Sequence, residues 1–297
     1  MQPKTCIIIC GPTAIGKTAV AIDVATHFNT AIISADSRQC YRELNIGVAR
    51  PSPEELHKVK HYFIASHSIH QNITAAHFER YALEKVNDIF KQKQVAVMVG
   101  GTGLYIKAFC QGLDAVPAIP EKIRATLQQE YEEKGLAWLT AALQEKDPFY
   151  ASEGEMKNPQ RMLRALEVMV HTGVSIKQLQ KGNREKRDFN IVQVCLQLPR
   201  EILYQKINRR VDAMMEQGLV NEVKSLYAYR HLNALQTVGY SELFDFLDGK
   251  ISLLHAVQLI KQHTRNYAKR QDTWFKKQPG MLFSNPDVKS VIDMLKT

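Results

Sequence analysis

The sequence has no apolar run approaching the roughly 20 residues that a membrane-spanning helix needs. Its first ten residues lead directly into a β-rich run, so neither a membrane anchor nor a secretory leader is expected. Cysteine is scarce and unpatterned: Cys6, Cys10, Cys40, Cys110 and Cys195 are odd in number and form no CxxC pair. A disulfide framework and a cysteine zinc site are thereby excluded, and a reducing cytoplasm is the expected compartment. Each cysteine reads best as a small buried hydrophobe. Internal repeats and low-complexity segments are also missing. Acids are outnumbered, 30 Asp and Glu against 39 Lys and Arg, for a net charge of +9. That surplus favours polyanionic partners without identifying one. What is present, 297 residues of which 45% are hydrophobic, suffices for one large domain or two unequal ones.

Short apolar runs alternate with helical patterns in the first part of the chain. TCIIIC at 5–10 ends at Gly11, AIISA at 31–35 ends at Asp36, and VAVMV at 95–99 ends at Gly100-Gly101. Between them, helical periodicity is carried by Val20, Val24 and Phe28, and then by Phe78, Ala82, Val86 and Phe90 over 75–93. This alternation predicts an α/β fold with a parallel sheet. Crossovers of one hand place all strand C-termini on one edge, where the loops after Cys10, Ala35 and Val99 converge. From about 118 to 190 only helical patterns occur, ending in the polar, basic run KGNREKR at 181–187. A strand-like run, IVQVCLQL at 191–198, then resumes, and helices are expected to the end. The predicted architecture is a three-layer α/β core, 1–117 with 191–297, carrying a small helical insertion at 118–190.

Residues 11–18, GPTAIGKT, match G-x-x-x-x-G-K-[ST], with a strand before and a helix after. The loop Gly11, Pro12, Thr13, Ala14, Ile15, Gly16, Lys17 and Thr18 is expected to wrap phosphate oxygens with the backbone N–H groups of all but Pro12, aided by the helix N-terminus. Lys17 adds a point charge, the Thr18 hydroxyl is the candidate Mg²⁺ ligand, and Thr13 is a further donor. This makes the core a P-loop core. The strand-end aspartate common in P-loop nucleotide hydrolases is missing, because the 95–99 strand ends in GGTG. Asp36 is the acid at a strand end in this half. Its spacing fits a metal helper, a base acting on an acceptor, or a helix N-cap.

GPTAIGKT, SADSRQCY at 34–41, GGTGLY at 100–105, NPQRMLRALEV at 158–168, LQTVGYSEL at 235–243 and TRNYAKRQDTWFKK at 264–277 together resemble the tRNA dimethylallyltransferases, also called tRNA isopentenyltransferases. The resemblance covers nearly the whole chain in one order. It implies transfer of a dimethylallyl group from dimethylallyl diphosphate to N6 of the adenosine 3′ of the anticodon, in tRNAs reading codons that begin with U. Diphosphate is then the leaving group and Mg²⁺ the cofactor. Lys17 and Thr13 aid its departure, and Asp36 takes the N6 proton. By the same resemblance Asp36, Ser37, Arg38, Gln39, Thr102, Arg124, Gln160, Arg161, Met162, Leu163 and Arg164 face the tRNA anticodon stem-loop. Cys40, His263 and the Ser241 region depart from the usual family pattern.

The segment 261–277 holds Lys261, Arg265, Lys269, Arg270, Lys276 and Lys277 against the single acid Asp272, more than half of the chain's +9. Tyr267 and Trp274 lie between the charges, a composition common in RNA-binding surfaces. Lys269, Arg270, Gln271 and Trp274 are therefore expected on the RNA side, with Trp274 also fitting a core position. The target base is expected to be flipped out of its stack. A monomer is expected. Three rivals share parts of this pattern: a small-molecule kinase, an isopentenyltransferase acting on free adenine nucleotide, and a non-catalytic RNA-binding protein with a relic P-loop. The kinase leaves 158–168 and 264–277 unexplained, and the free-nucleotide enzyme leaves the basic segment without a polyanion.

Overall fold

The computed structural model describes residues 3–295 except Asn183, the one residue of the basic run at 181–187 that lies outside the described residues. The chain divides into two compact units, 1–110 with 187–297, and 111–186. The sequence pattern alone places these limits somewhat later, at 117/118 and 190/191.

The first unit is built on six parallel strands in the order β3-β2-β4-β1-β5-β6. These are β1 (Thr5–Cys10), β2 (Ile32–Ser34), β3 (His61–Tyr62), β4 (Val95–Gly100), β5 (Asn190–Leu196) and β6 (Leu282–Ser284). The helices of the leading half are α1 (Lys17–His27), α2 (Pro53–Lys58), α3 (Ala75–Phe90) and α4 (Gly103–Gln111). The second unit holds α5 (Glu121–Lys146), α6 (Pro148–Glu153), α7 (Pro159–Thr172) and α8 (Ile176–Leu179). The chain then returns to the first unit through β5, α9 (Arg200–Glu216), α10 (Leu219–Ser225), α11 (Tyr240–Leu247), α12 (Leu253–Lys276), β6 and α13 (Val288–Leu295).

β1 sits in the middle of the sheet, with Cys10 in register with Gly100 of β4 and with Cys195 of β5. Its alternate residues feed two cores. Cys6, Ile8 and Cys10 pack with Phe78, Phe109, Leu235 and Leu243 on one face. Ile7 and Ile9 pack with Val20, Val24, Leu203, Ile207 and Val291 on the other. A strand buried on both faces reads as the continuous apolar run seen at 5–10, and the result is helix–sheet–helix layering. Two strands went unread in the sequence, β3 and β6. β3, at two residues, is too short to show a period, and β6 falls in an apolar run of three residues, 281–283, against the five-residue run at 31–35 that marks β2. The second unit has its own core of Leu127, Leu139, Leu143, Tyr150, Met162, Leu163, Leu166 and Ile176. Its long helix α5 is broken at Gly135, whose φ of 73° lies in the left-handed region.

Candidate active site

Three loops converge on the C-terminal edge of the sheet and are physically joined there. Gly100 lies so close to the second loop that a Cβ would come within 2.2 Å of the Ala35 carbonyl oxygen. Thr102 N–H donates to that same oxygen at 3.2 Å, and Ser37 N–H donates to Thr102 Oγ1 at 3.0 Å. Gln271 of α12 ties the third loop to the first. Its Nε2 donates to Gly101 O at 2.9 Å and its Oε1 accepts from Thr13 N–H at 2.9 Å. Gln271 is 7% exposed with both ends of its amide spent on backbone, so the expectation that it faces RNA is corrected: it is a brace under the phosphate loop.

The phosphate loop borders a cavity of about 420 Å³ lined by Thr13, Lys17, Thr18, Asp36, Arg209 and Arg210 among others. Lys17 Nζ donates to Pro12 O at 2.8 Å, curling back over the loop. Arg210 Nη1 lies 3.4 Å from Thr13 Oγ1. Burial, then the neighbouring Arg210, lowers the Lys17 pKa to about 8, while Asp36 opposes the shift. Burial also lowers the Arg210 pKa, again opposed by Asp36. Two half-buried cations thus share one carboxylate. Lys206 and Arg209 add charge to the lining, and Glu55 adds a second acid, leaving four cations against two carboxylates. An anion carrying several charges would relieve that imbalance. Arg210, Arg209 and Lys206 were missed in the sequence reading. The signal was present as KINRR at 206–210, basic residues three and four apart on the helix that follows a central strand.

Asp36 caps a turn rather than a helix, and it also borders the cavity. Oδ1 accepts from Arg38 N–H at 2.8 Å and Gln39 N–H at 3.1 Å, capping the turn that follows. Oδ2 accepts no hydrogen bond from a described residue, and Asp36 lines the cavity. Arg38 reaches the backbone oxygen of Asn233 at 2.8 Å. Gln39 donates to the carbonyls of Val48 and Ala49 at 3.2 and 3.0 Å. Thr18 also lines the cavity. Among the described residues no group of three or more His, Cys, Asp or Glu side chains is arranged to hold a metal. The oxygen donors of Thr18 and the Asp36 carboxylate fit a hard cation such as Mg²⁺, which takes few protein ligands and leans on phosphate oxygens.

On α12, Lys269 and Arg270 are exposed, with Arg270 Cζ 5.7 Å from the Tyr267 ring. Other basic residues of the helix are committed within the protein: Lys261 to Asp212, Arg265 to Asn208 at 2.7 Å, and Lys276 to Asp272 at 2.8 Å. Trp274 is half-buried on Gly103, where a Cβ would meet its ring at 2.6 Å.

In the second unit, Asn158 caps α7 through hydrogen bonds to the N–H groups of Gln160 and Arg161. Gln160 and Arg161 are exposed. Arg164 pairs with Glu167 at 3.1 Å, and Arg124 Nε sits 3.6 Å from the same carboxylate. Met162 and Leu163 are 0% and 7% exposed in that unit's core, which corrects the expectation that their side chains meet tRNA. In a helix the residues between two outward arginines turn inward, which the QRMLR motif itself conceals.

No described helix is long and apolar enough to cross a membrane. Residues 39–278 match the IPP transferase family. The chain is 42% identical over 288 residues to tRNA dimethylallyltransferase 1 of Bacteroides thetaiotaomicron, covering 97% of this chain and 94% of that protein. A crystal structure of the tRNA isopentenylpyrophosphate transferase of Bacillus halodurans superposes with a TM-score of 0.72 at 32% identity, over 99% of this chain and 96% of that one. A eukaryotic dimethylallyltransferase acting on tRNA superposes with a TM-score of 0.77 at 25% identity, over 98% of this chain and 76% of that one. With a family match spanning most of its length and relatives this close, the chain belongs to the IPP transferase family.

Proposed function

We propose that this protein transfers a dimethylallyl group from dimethylallyl diphosphate to N6 of the adenosine 3′ of the anticodon in tRNAs reading codons that begin with U. The observation that carries this reading is the cavity in which two half-buried cations, Lys17 and Arg210, stand beside one carboxylate with a free oxygen, Asp36. Such a site takes a diphosphate on one side and a proton from a nucleophile on the other.

N6 attacks the allylic carbon as its bond to the diphosphate oxygen breaks, and the electron pair leaves with diphosphate. Charge developing on that oxygen is met by the loop N–H groups, Lys17 and Arg210, which are in place before reaction begins. The lone pair of N6 is delocalised into the purine, so removal of its proton assists attack. Asp36 Oδ2 receives that proton, while Oδ1 stays bound to the backbone of Arg38 and Gln39 and fixes the carboxylate's orientation. Thr18 would hold Mg²⁺ together with the diphosphate oxygens, and the ion would supply further charge neutralisation on the leaving group. Exposed Lys269 and Arg270 contribute phosphate contacts to the tRNA, and Arg161 is the most available cation of the QRMLR segment. We read the enzyme as a cytoplasmic monomer. Its five free cysteines suit a reducing compartment.

The test is a matrix of donors and acceptors with Mg²⁺: ATP or dimethylallyl diphosphate, each with AMP or unmodified tRNA. Product is expected only from dimethylallyl diphosphate with tRNA, recovered as N6-dimethylallyladenosine after digestion and lost when the target adenosine is replaced. A phosphorylated product from ATP would restore a kinase, and comparable turnover on AMP would move the protein to the free-nucleotide branch.

A further inference from the structure

The Glu222 carboxylate on α10 accepts three hydrogen bonds from groups that have no part in the chemistry. Oε2 takes Ile46 N–H at 2.8 Å, and Oε1 takes Gly47 N–H at 3.0 Å and the Tyr240 hydroxyl at 2.6 Å. Tyr240 is fully buried, and its ring is pressed so closely on Gly47 that a Cβ there would meet it at 2.5 Å. Burial and the adjacent Glu222 push the Tyr240 phenol far above its usual pKa, so it stays a donor. The start of α11, which carries Tyr240, is fixed in turn by Glu242. One oxygen of Glu242 accepts Gly239 N–H at 2.7 Å, and the other lies 2.6 Å from His263 Nδ1.

The segment gripped in this way reaches the catalytic carboxylate through one side chain. Val48 and Ala49 follow Gly47 directly. Ala49 lines the cavity in a left-handed conformation, with φ of 45°. The carbonyls of Val48 and Ala49 accept the Gln39 amide, and Gln39 N–H donates to Asp36 Oδ1. A path of hydrogen bonds therefore runs from Glu222 and Tyr240 through residues 46–49 and Gln39 to Asp36.

We propose that Glu222 and Tyr240 form a clamp that positions the 46–49 turn, and through Gln39 the Asp36 carboxylate, for proton transfer. A half-buried carboxylate bonded to two consecutive N–H groups and a buried hydroxyl is a stiff anchor, because charge-assisted bonds are strong and breaking one costs the partner its acceptor. Glu222 and Tyr240 are positioning residues, touching no reacting atom. The inference rests on the proposed reaction, and a wild-type enzyme that fails to prenylate tRNA would sink that reading before any variant is compared.

Glu222→Gln keeps the shape but replaces one acceptor oxygen with a donor. It is expected to lower kcat by roughly tenfold to a hundredfold, the scale of a small misplacement of a catalytic group. KM for tRNA and affinity for dimethylallyl diphosphate without tRNA are expected to hold. Tyr240→Phe, which keeps the ring on Gly47, is expected to give a smaller loss of the same kind, and it carries the comparison if Glu222→Gln fails to fold. Combining either variant with Gln39→Ala discriminates further. On a shared path the double variant is expected to lose little beyond the worse single one, a clear departure from additivity. Additive losses, or a lowered melting temperature with kcat intact, would reduce the clamp to a structural brace and overturn the proposal.

Discussion

At Lys17 and Arg210 the protein partly withdraws two cations from water beside one carboxylate, whereas at Lys269 and Arg270 on α12 it leaves its cations in solvent. The first pair costs folding energy, since burial disfavours the charged form of each group. Asp36 offsets part of that cost, and an arriving anion would offset more, which would favour a small, multiply charged ligand. The second pair costs little and gains little at any one phosphate, as suits a long polyanion held at many points. Gln271, one residue along from Arg270, belongs to the first region. α12 thus serves both regions from neighbouring positions, with its inward amide bracing the phosphate loop and its outward cations free.

The largest effect that would separate the regions is on chemistry. Asp36→Ala is expected to lose about 10²–10⁴-fold in kcat, the usual range for a general base, with tRNA affinity held. A variant with near wild-type turnover in saturating single-turnover assays would leave Asp36 as a turn cap alone. Arg210→Ala is expected to lose roughly 10²–10³-fold, as when one preorganised donor to a developing charge is removed. Weaker binding of dimethylallyl diphosphate should accompany it. If titrations instead find tRNA binding alone impaired, Arg210 belongs with the exposed region and the comparison breaks.

Gln271→Ala probes the brace. It leaves Thr13 N–H and Gly101 C=O without their partner, at about 1–3 kcal/mol for each group that stays dry. A lowered melting temperature with weaker diphosphate binding and an unchanged tRNA salt dependence is expected. A change in the salt dependence instead would return Gln271 to the RNA side.

The two regions also differed in how far the sequence disclosed them. GPTAIGKT could be read because its chemistry lies within eight consecutive residues framed by a strand and a helix. Asp36 could be read because a strand ends just before it. Arg210 and Gln271 could not, since each meets Thr13 across about two hundred residues or more of chain, and no local pattern announces such a meeting. In 264–277 the charge count was visible but not its partners, so Arg265 and Lys276 looked as available as Lys269. Met162 and Leu163 were misplaced because a motif names consecutive residues while a helix buries only one face of them. The longer runs and their parallel arrangement followed from pattern, but the strand order did not, and β3 and β6 were missed.

A smaller effect follows from the pKa of Lys17, which burial and the neighbouring Arg210 lower to about 8. Below that pH the ammonium is charged and attracts diphosphate. Above it the free protein loses the proton, while bound diphosphate favours keeping it. Affinity for dimethylallyl diphosphate, measured calorimetrically without tRNA, is therefore expected to fall by up to about tenfold per pH unit above 8. Lys17→Arg is expected to flatten this dependence, because a guanidinium keeps its proton throughout. A flat wild-type profile would mean that the Lys17 ammonium is not the group the ligand senses.

The smallest expected effect sharpens the other side. Lys269→Ala combined with Arg270→Ala removes two exposed cations that form no ion pair with a described residue. Every phosphate that a missing cation no longer neutralises reduces the slope of log affinity against log salt by about 0.7–0.9. The double variant should therefore bind tRNA more weakly and less steeply with salt. The weakening should be largest at low salt and shrink as screening removes the same interaction from the wild type. Affinity for dimethylallyl diphosphate without tRNA should stay where it was, because the half-buried pair at Lys17 and Arg210 is untouched. Lys276→Ala serves as the internal contrast. Its ammonium is already paired with Asp272 at 2.8 Å, so its removal should change the slope less than either exposed cation. An unchanged slope in the double variant, read from filter binding at several salt concentrations, would make this face of α12 a solvated surface and leave tRNA recognition to other residues.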